Sequence, residues 1–397
     1  MTKKNQTAET FRYRDTASVE RFDWTQLENW AAAILVHAGV ANSDAELAAH
    51  FLVRSDARGF GTHGLSRLVN YVDKLKSGEI SSQGVPTFSE VAGTLRVDGG
   101  GLLGQVVAPK TIDAGLELLH ERSSVVCQIR DAAHLGAVGM YALRAAEAGA
   151  VCLIMQSTLP VMAVQGAKRP MIGNNPLALA APRPNGPPIV IDMACCMAAR
   201  GNILLAAREG DPIPEGWAID PEGQPTTDAH AALRGALLPF GGHKGMALAM
   251  IVEILAASLA GATHAERLNP EGGVQSASGG LNAFCLLLSP DLITPEGREG
   301  YDSHMSAWTQ TFKAAGETRI PGERAAHAET QARKDGVPLA KSVAAELATL
   351  GLNMGIPAPW RSPYDTTAVT GVESRVGKDS ESRPPQQSLR QETSPDR

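Results

Sequence analysis

The stretch "RVDGGGLLGQ", Arg96–Gln105, decides what kind of α/β fold this chain can form. It contains Gly99-x-Gly101-x-x-Gly104 just after a short strand-like run, Thr94–Val97, which is the spacing of the dinucleotide-binding fingerprint. In a doubly wound fold such glycines bring a pyrophosphate against a helix N-terminus. The same spacing arises easily by chance in a chain of 397 residues with 40 glycines, so the surrounding elements carry the decision.

Downstream, "SSVVCQIRD", "GMYALRAAEAGA" and "VCLIMQST" read as strand, helix and strand, a β-α-β unit over Val125–Thr158. "LALAAP", "PIVIDMA" and "LNAFCLLLS" follow as buried-strand patterns, and Lys110–Glu121 reads as a helix. The first 80 residues read as helices. One stops at Gly39, and a second opens on a capping box, Ser43-x-x-Glu46, and stops at Gly59. A third takes Thr62 as its N-cap and ends before Gly78, with Lys74 and Lys76 in its last turns. Helical patterns return near Pro321–Lys334 and Ser342–Leu350. The expected organisation is a flexible N-terminus (1–20), a helical N-terminal segment (21–90) and an α/β domain (91–320). C-terminal helices (321–356) pack back on the N-terminal segment, and residues 357–397, rich in Pro, Ser and charge without periodicity, form a disordered tail.

The apolar content of 43% supports a large core, and a net charge of −6 excludes a basic nucleic-acid-binding surface. The five cysteines, Cys127, Cys152, Cys195, Cys196 and Cys285, form no CxxC, which points to a reducing compartment and to no metal site. "MTKKNQTAETFRYRD" lacks the apolar core of a signal peptide. The most apolar run, Gly245–Ala262, is interrupted by Glu253 and reads as a buried core helix rather than a membrane span. These features describe a cytoplasmic enzyme without a membrane or nucleic-acid partner.

Four short stretches could carry chemistry. In "GTHGLSR", His63 and Arg67 share a helix face one turn apart, at the helix end where a cation is least stable, so a bound anion would explain them. In "RDAAHLGAVG", His134 lies in the loop after a strand, where ligands commonly bind, with an imidazole suited to acid/base work. In "VIDMACC", Asp192 ends an apolar strand and calls for a partner, a histidine or a ligand hydroxyl, while Cys195 and Cys196 read as packing residues. In "PFGGHKGMALAM", Lys244 opens an apolar helix behind glycines that expose the backbone, the best local phosphate or carboxylate site. Each has a bland alternative: a cap, a satisfied loop histidine, a turn aspartate, a snorkelling lysine.

In series these stretches resemble one family, the malate/L-lactate dehydrogenases of the second type. That family includes malate, sulfolactate and ureidoglycolate dehydrogenases, 2,3-diketogulonate reductase and the Δ1-piperideine-2-carboxylate reductases. The matching segments, in order, are "SDARGFGTHGLSRLVNYVDKLKSGEI", "VDGGGLLGQ", "HLGAVGMYALRAAEAG", "IGNNPLALAAP", "IDMA", "PEGWAIDPEGQPTTD", "GGHKGMALAMIVEILAASLAGA" and "RIPGERA". They span about Arg21–Gly355. The resemblance implies a non-Rossmann NAD(P)-binding α/β fold with a largely antiparallel or mixed sheet, and a homodimer. It implies hydride transfer between NAD or NADP and a small 2-hydroxy or 2-oxo acid, or a cyclic 2-imino acid. Thr62 and Arg67 would hold the substrate carboxylate, and either His63 or His134 would move the proton beside Asp192. Thr158, Asn174, Asn175, Pro176, Asp192, Met193 and Ala194 would line the cofactor. His243, Lys244, Arg319, Pro321, Gly322 and Glu323 would reach its ribose or phosphates.

Three features depart from the family pattern: Thr62 stands in place of the usual serine, Cys195 and Cys196 follow "DMA", and the tail is long. The resemblance also removes Gly99–Gly104 from the site and makes it a strand-to-helix turn. A non-redox enzyme acting on a small carboxylate, or a catalytically silent binding protein, would use the same polar set without a nicotinamide.

Overall fold

The computed structural model describes residues 19–164, 167, 169–261, 280–316 and 318–360. The strands in chain order are β1 (Val19–Phe22), β2 (Thr87–Val91), β3 (Thr94–Asp98), β4 (Ser124–Ala132), β5 (Val151–Ser157) and β6 (Leu177–Ala181). They continue with β7 (Ile189–Met193), β8 (Ala218–Ile219), β9 (Pro225–Thr226), β10 (Ala236–Leu237), β11 (Leu281–Leu288) and β12 (Val337–Ala340). The helices are α1 (Trp24–His37), α2 (Asn42–Ala57), α3 (Leu68–Ser77), α4 (Gly104–Leu119), α5 (Gly139–Glu147) and α6 (Arg200–Glu209). After them come α7 (Ala229–Arg234), α8 (His243–Val252), α9 (Pro290–Ile293), α10 (Gly297–Ala314), α11 (Glu323–Asp335) and α12 (Lys341–Asn353).

Seven strands form the main sheet in the order β2-β3-β4-β11-β5-β6-β7. Only β3 and β4 pair in parallel; every other neighbour is antiparallel. The β-α-β unit is present as β4, α5 and β5, but its strands do not touch. β11 is inserted between them, with Cys285 opposite both Cys127 and Ile154. Its run LNAFCLLL, apolar except for Asn282, suits a central strand covered on both faces. The sheet is therefore mixed and largely antiparallel, and it is not the Rossmann order.

The fingerprint-like stretch becomes the turn from β3 to α4. Gly100 and Gly101 adopt positive φ of 58° and 70°, which favours glycine. The amides of Gly99 and Gly101 donate to the Arg130 and Asp131 carbonyls at 2.8 Å each, so two of the N–H groups that might cradle a phosphate are spent on β4. A Cβ on Gly104 would lie 2.5 Å from the His134 carbonyl oxygen, so this glycine lets α4 press against the His134 loop.

A second core joins α1, α2 and α3 to the C-terminal elements: Leu27, Leu35, Leu52 and Val72 share it with Val337, Leu339, Leu347 and Leu350. β1 pairs with β12. Ala358 and Trp360, assigned to the tail, are part of this packing: the Trp360 ring sits 4.9 Å from Phe22 and 5.1 Å from Trp30. Residues 1–18 and 361–397, which hold the rest of the expected flexible ends, lie outside the described residues.

Three local expectations are corrected. α2 starts after Ala41 with no side-chain cap, so Ser43 and Glu46 form no capping box. Thr62 caps no helix. Gly61–His63 and Leu65–Arg67 are two tight single turns broken at Gly64, and α3 begins at Leu68. The break follows from Gly64, whose backbone is pressed against the buried Asp56 carboxyl. The Gly245–Ala262 run is only half buried. Met246, Ala249, Val252 and Ala256 face inward, whereas Met250, Ile251, Ile254 and Leu259 are each about half exposed. One face of this largely apolar segment meets β5 and β11, and the other has no layer above it among the described residues. No helix among the described residues is long and apolar enough to cross a membrane.

Candidate active site

A cavity of about 550 Å³ opens between α3, the Gly100–Gly101 turn, the end of β4 and the residues after β5. Arg67, Asn70, Tyr71 and Lys74 project into it from one helical face, at the i, i+3, i+4, i+7 spacing. Opposite them stand His134, Thr158 and Asn174.

His134 is held from three sides. Gln156, fully buried on β5, accepts the Leu135 amide at 3.1 Å and donates to the Ala133 carbonyl at 3.3 Å, clamping the backbone on both sides of the imidazole. Gln105 Nε2 lies 3.4 Å and 3.3 Å from the carbonyls of His134 and Leu135, acceptors that identify this end of the amide as the nitrogen. The same nitrogen donates to the Tyr71 hydroxyl at 2.9 Å, and that hydroxyl is 3.0 Å from His134 Nδ1. With Nδ1 committed to Tyr71, Nε2 is left for a ligand. Burial first, then the neighbouring basic groups His63, Arg67 and Lys74, push the His134 pKa down to about 3. Burial raises the Tyr71 phenol to about 12, so the hydroxyl keeps its proton.

His63 sits behind His134, with ring centroids 5.9 Å apart. Its Nδ1 is 3.0 Å from Thr62 Oγ1, and Arg67 Nε donates to the Thr62 carbonyl at 2.7 Å. Burial and then Arg67 lower its pKa to about 4. Both imidazoles are neutral at pH 7. Thr62, His63, Arg67 and His134 are thus neighbours, but without a helix end to orient the first three.

Asp192 does not meet a histidine. Its Oδ2 accepts the Gly139 amide at 3.0 Å, at the start of α5, where a carboxylate is stabilised by the helix dipole. A Cβ on Gly139 would fall 2.6 Å from that oxygen. Burial raises the Asp192 pKa to about 6, offset in part by this bond.

The ends of β5, β6 and β7 are knitted together. Thr158 Oγ1 donates to Asn174 Oδ1 at 2.7 Å, and its amide donates to Asn175 Oδ1 at 3.0 Å. Asn175, fully buried at φ +36°, donates through Nδ2 to the Ala249 carbonyl and the Glu253 carboxylate. The Pro176 carbonyl accepts the Gln156 amide. Met193 and Ala194 lead into Cys195, whose amide donates to the Asn174 carbonyl at 2.8 Å. Cys195 and Cys196 are buried, with thiols pushed up to about 12 and 11 by desolvation, as suits packing residues. The Phe240 amide donates to the Cys195 carbonyl, which brings the start of α8 to the same region. There Gly241 and Gly242 have positive φ and open space beside them, and His243 and Lys244 are exposed.

Arg319, Pro321, Gly322 and Glu323 lie elsewhere, alongside the beginning of β7. The Pro321 carbonyl accepts the Val190 amide, Gly322 packs on Pro188, and Glu323 pairs with Arg183 at 2.9 Å and Lys313 at 2.7 Å. Of the residues singled out in the sequence, Arg67, His134, Thr158 and Asn174 line the cavity, and so does Gly101 of the turn that the resemblance sets apart from the site. Tyr71, Gln105, Lys74 and Gln156 were not singled out. The helical face running from Arg67 was the available signal for Tyr71 and Lys74; Gln105 and Gln156 are set by tertiary packing alone.

A family model described as malate/L-lactate dehydrogenase matches residues 22–348. A (2R)-3-sulfolactate dehydrogenase (NADP(+)) from Chromohalobacter salexigens is 34% identical over 326 residues, covering 81% of this chain and 95% of the relative. A Delta(1)-pyrroline-2-carboxylate/Delta(1)-piperideine-2-carboxylate reductase from Pseudomonas putida is also 34% identical, covering 81% of this chain and 94% of the relative. The solved delta1-piperideine-2-carboxylate reductase from Pseudomonas syringae pvar. tomato superposes with a TM-score of 0.76 at 29% identity, over 83% of this chain and 99% of that one. The chain belongs to the malate/L-lactate dehydrogenase family.

Proposed function

We propose that this protein is an NAD(P)-dependent oxidoreductase that interconverts a small 2-oxo acid and its 2-hydroxy acid, with His134 moving the proton and Arg67 holding the carboxylate. The observation that carries the assignment is the Gln105–Tyr71–His134 chain. It commits Nδ1 and leaves Nε2 as the nitrogen that meets substrate in the same cavity as Arg67. His63, whose Nδ1 faces Thr62, serves the Thr62–Arg67 turn.

The tyrosine hydroxyl both donates and accepts, so it partners Nδ1 in either protonation state. In the oxidising direction a neutral imidazole with its proton on Nδ1, directed at Tyr71, takes the substrate hydroxyl proton at Nε2. In the reducing direction the doubly protonated ring returns that proton to the carbonyl oxygen. A carboxylate on Arg67 offsets a positive charge that holds the His134 pKa down, so substrate binding makes this protonation easier.

The residues present fit a nicotinamide dinucleotide. The open Gly241–Gly242 turn ahead of α8, with exposed His243 and Lys244 at a helix N-terminus, suits its phosphates. Thr158, Asn174 and the Asp192–Ala194 strand end would hold its nicotinamide end. When bound, the nicotinamide would supply the hydride for reduction and accept it in oxidation. In this reading 91–320 is the cofactor-binding part, Arg319 and Pro321–Glu323 extend its binding along β7, and the enzyme acts in the cytoplasm as a homodimer. The exposed apolar side chains Met250, Ile251 and Ile254 support the last point.

A panel of 2-oxo acids, 2-hydroxy acids and cyclic 2-imino acids, tested with both cofactors, checks the assignment. His134→Ala is expected to lower kcat at least a hundredfold and to remove the acidic limb of the pH–rate profile, whereas His63→Ala mainly raises KM. The reverse pattern transfers the proton step to His63, and loss of neither limb refutes the mechanism. The named reductase relatives make cyclic imino acids the second substrate class to test.

A further inference from the structure

Asp56, at the end of α2, lies outside the cavity yet is built into the turn that carries Thr62, His63 and Arg67. The residue is 4% exposed, and its Oδ2 accepts the Leu65 amide at 2.7 Å. The backbone of Gly64 lies flat against the carboxyl: a Cβ there would fall 2.3 Å from Oδ2 and 2.4 Å from Oδ1. A Cβ on Gly61 would stand 3.5 Å from Oδ1, so both glycines of the turn border the same carboxyl.

The other side-chain hydrogen bonds described for the turn stay inside it. Ser66 Oγ donates to the Gly61 carbonyl, Arg67 Nε donates to the Thr62 carbonyl, and Thr62 Oγ1 pairs with His63 Nδ1. The Asp56 bond is the side-chain link that ties this turn to α2. No cation is paired with the carboxyl in the described structure, and burial raises its pKa well above the usual carboxylate range. Its value lies in its shape and its acceptor oxygen rather than in its charge.

We propose that Asp56 is a positioning residue: it braces the Gly61–Arg67 turn so that Arg67 is presented to the substrate carboxylate. The inference rests on the proposed function, because it assigns Arg67 to that carboxylate. Asp56→Leu keeps the branched shape of the side chain, with bulkier ends, and removes the acceptor. It is expected to raise KM for the acid substrate at least tenfold, with kcat within threefold and the Kd of NADH or NADPH, read by fluorescence titration, unchanged. Asp56→Asn keeps an acceptor oxygen and is expected to hold KM within threefold of the parent. Gly64→Ala tests the same contact from the other side, because its Cβ must displace the carboxyl, and KM is expected to rise in parallel.

A parent-like KM in Asp56→Leu or Gly64→Ala overturns the proposal. So does an Asp56→Asn enzyme as impaired as Asp56→Leu, which would show that charge matters rather than bracing. If Asp56→Leu does not fold, Asp56→Asn and Gly64→Ala decide by the same criteria. An unmodified enzyme that turns over no acid in the panel with either cofactor refutes the functional reading instead, which keeps the two failures distinct.

Discussion

Tyr71→Phe isolates the feature on which the proton-transfer assignment depends. The substitution removes one oxygen and leaves the ring. That oxygen satisfies Gln105 Nε2 at 2.9 Å and His134 Nδ1 at 3.0 Å, in a position where Tyr71 is 2% exposed. Gln105 keeps two carbonyl partners at 3.3–3.4 Å, so the group left unsatisfied is mainly His134 Nδ1. An unpaired buried polar group costs about 1–3 kcal/mol. At the lower end, about 1.4 kcal/mol, the preference that keeps Nε2 available changes by a factor of about ten. The expected result is a fall in kcat of about tenfold or more, with little change in KM, because Arg67 and its turn are untouched. Steady-state kinetics read both terms, and followed into the acidic range where His134, with a pKa of about 3, takes up its proton, they should show the acidic limb move with that ionisation. A Tyr71→Phe enzyme that changes KM alone, or leaves kcat and the limb in place, would refute the Tyr71–His134 coupling.

Gly104→Ala places a methyl 2.5 Å from the His134 carbonyl oxygen and 2.7 Å from Leu135 Cα, both backbone atoms. Overpacking of this kind costs about 1–3 kcal/mol, so urea unfolding should show that loss together with reduced kcat; an unchanged midpoint would contradict the packing of α4 on the loop. The two histidines also set a pH dependence. Their folded pKa values, about 4 and about 3, lie below the ordinary 6.5, so the unfolded chain binds protons that the folded one refuses. Their contribution is complete above pH 6.5 and is lost as pH falls toward 4. Asp192, raised to about 6, works in the opposite direction, because its folded form takes up a proton as pH falls below 6. From pH 6.5 to 4.5 each proton that a histidine refuses costs at most about 2.7 kcal/mol, and Asp56, whose carboxyl pKa burial also raises, joins Asp192 in offsetting that cost. His134→Gln should raise the unfolding free energy at pH 4.5 relative to pH 6.5 by about 2 kcal/mol compared with the parent, and an unchanged difference would show that His134 does not titrate as described.

The candidate site was legible where local spacing carries the information. Arg67 and Tyr71 are one helical turn apart, and His134 follows a strand, so their neighbourhood could be read from period and position. Asp192 was read as calling for a histidine or a ligand hydroxyl because a carboxylate ending an apolar strand needs a partner. Its actual partner, the Gly139 amide, comes from a helix 53 positions away in sequence, and periodicity carries no trace of that contact. The Thr62 cap failed because glycines at 61 and 64 and the carboxyl of Asp56 compete with helix formation more strongly than a threonine promotes it. Gln105 and Gln156 are ordinary polar residues within apolar runs and become informative only when their amides meet the His134 loop.

By itself the sequence determined the strand and helix pattern from Val125 to Thr158, the family, and the polar residues available for anion binding and proton transfer. Side-chain periodicity and glycine positions are local properties that survive in one dimension. Tertiary structure decided that β11 enters between β4 and β5, which makes the sheet mixed, and that "RVDGGGLLGQ" spends its amides on β4 rather than on a phosphate. It also decided which histidine has its Nδ1 occupied by a buried tyrosine. These outcomes depend on which long-range partner satisfies each buried hydrogen-bonding group, and that competition is settled only when the whole core closes.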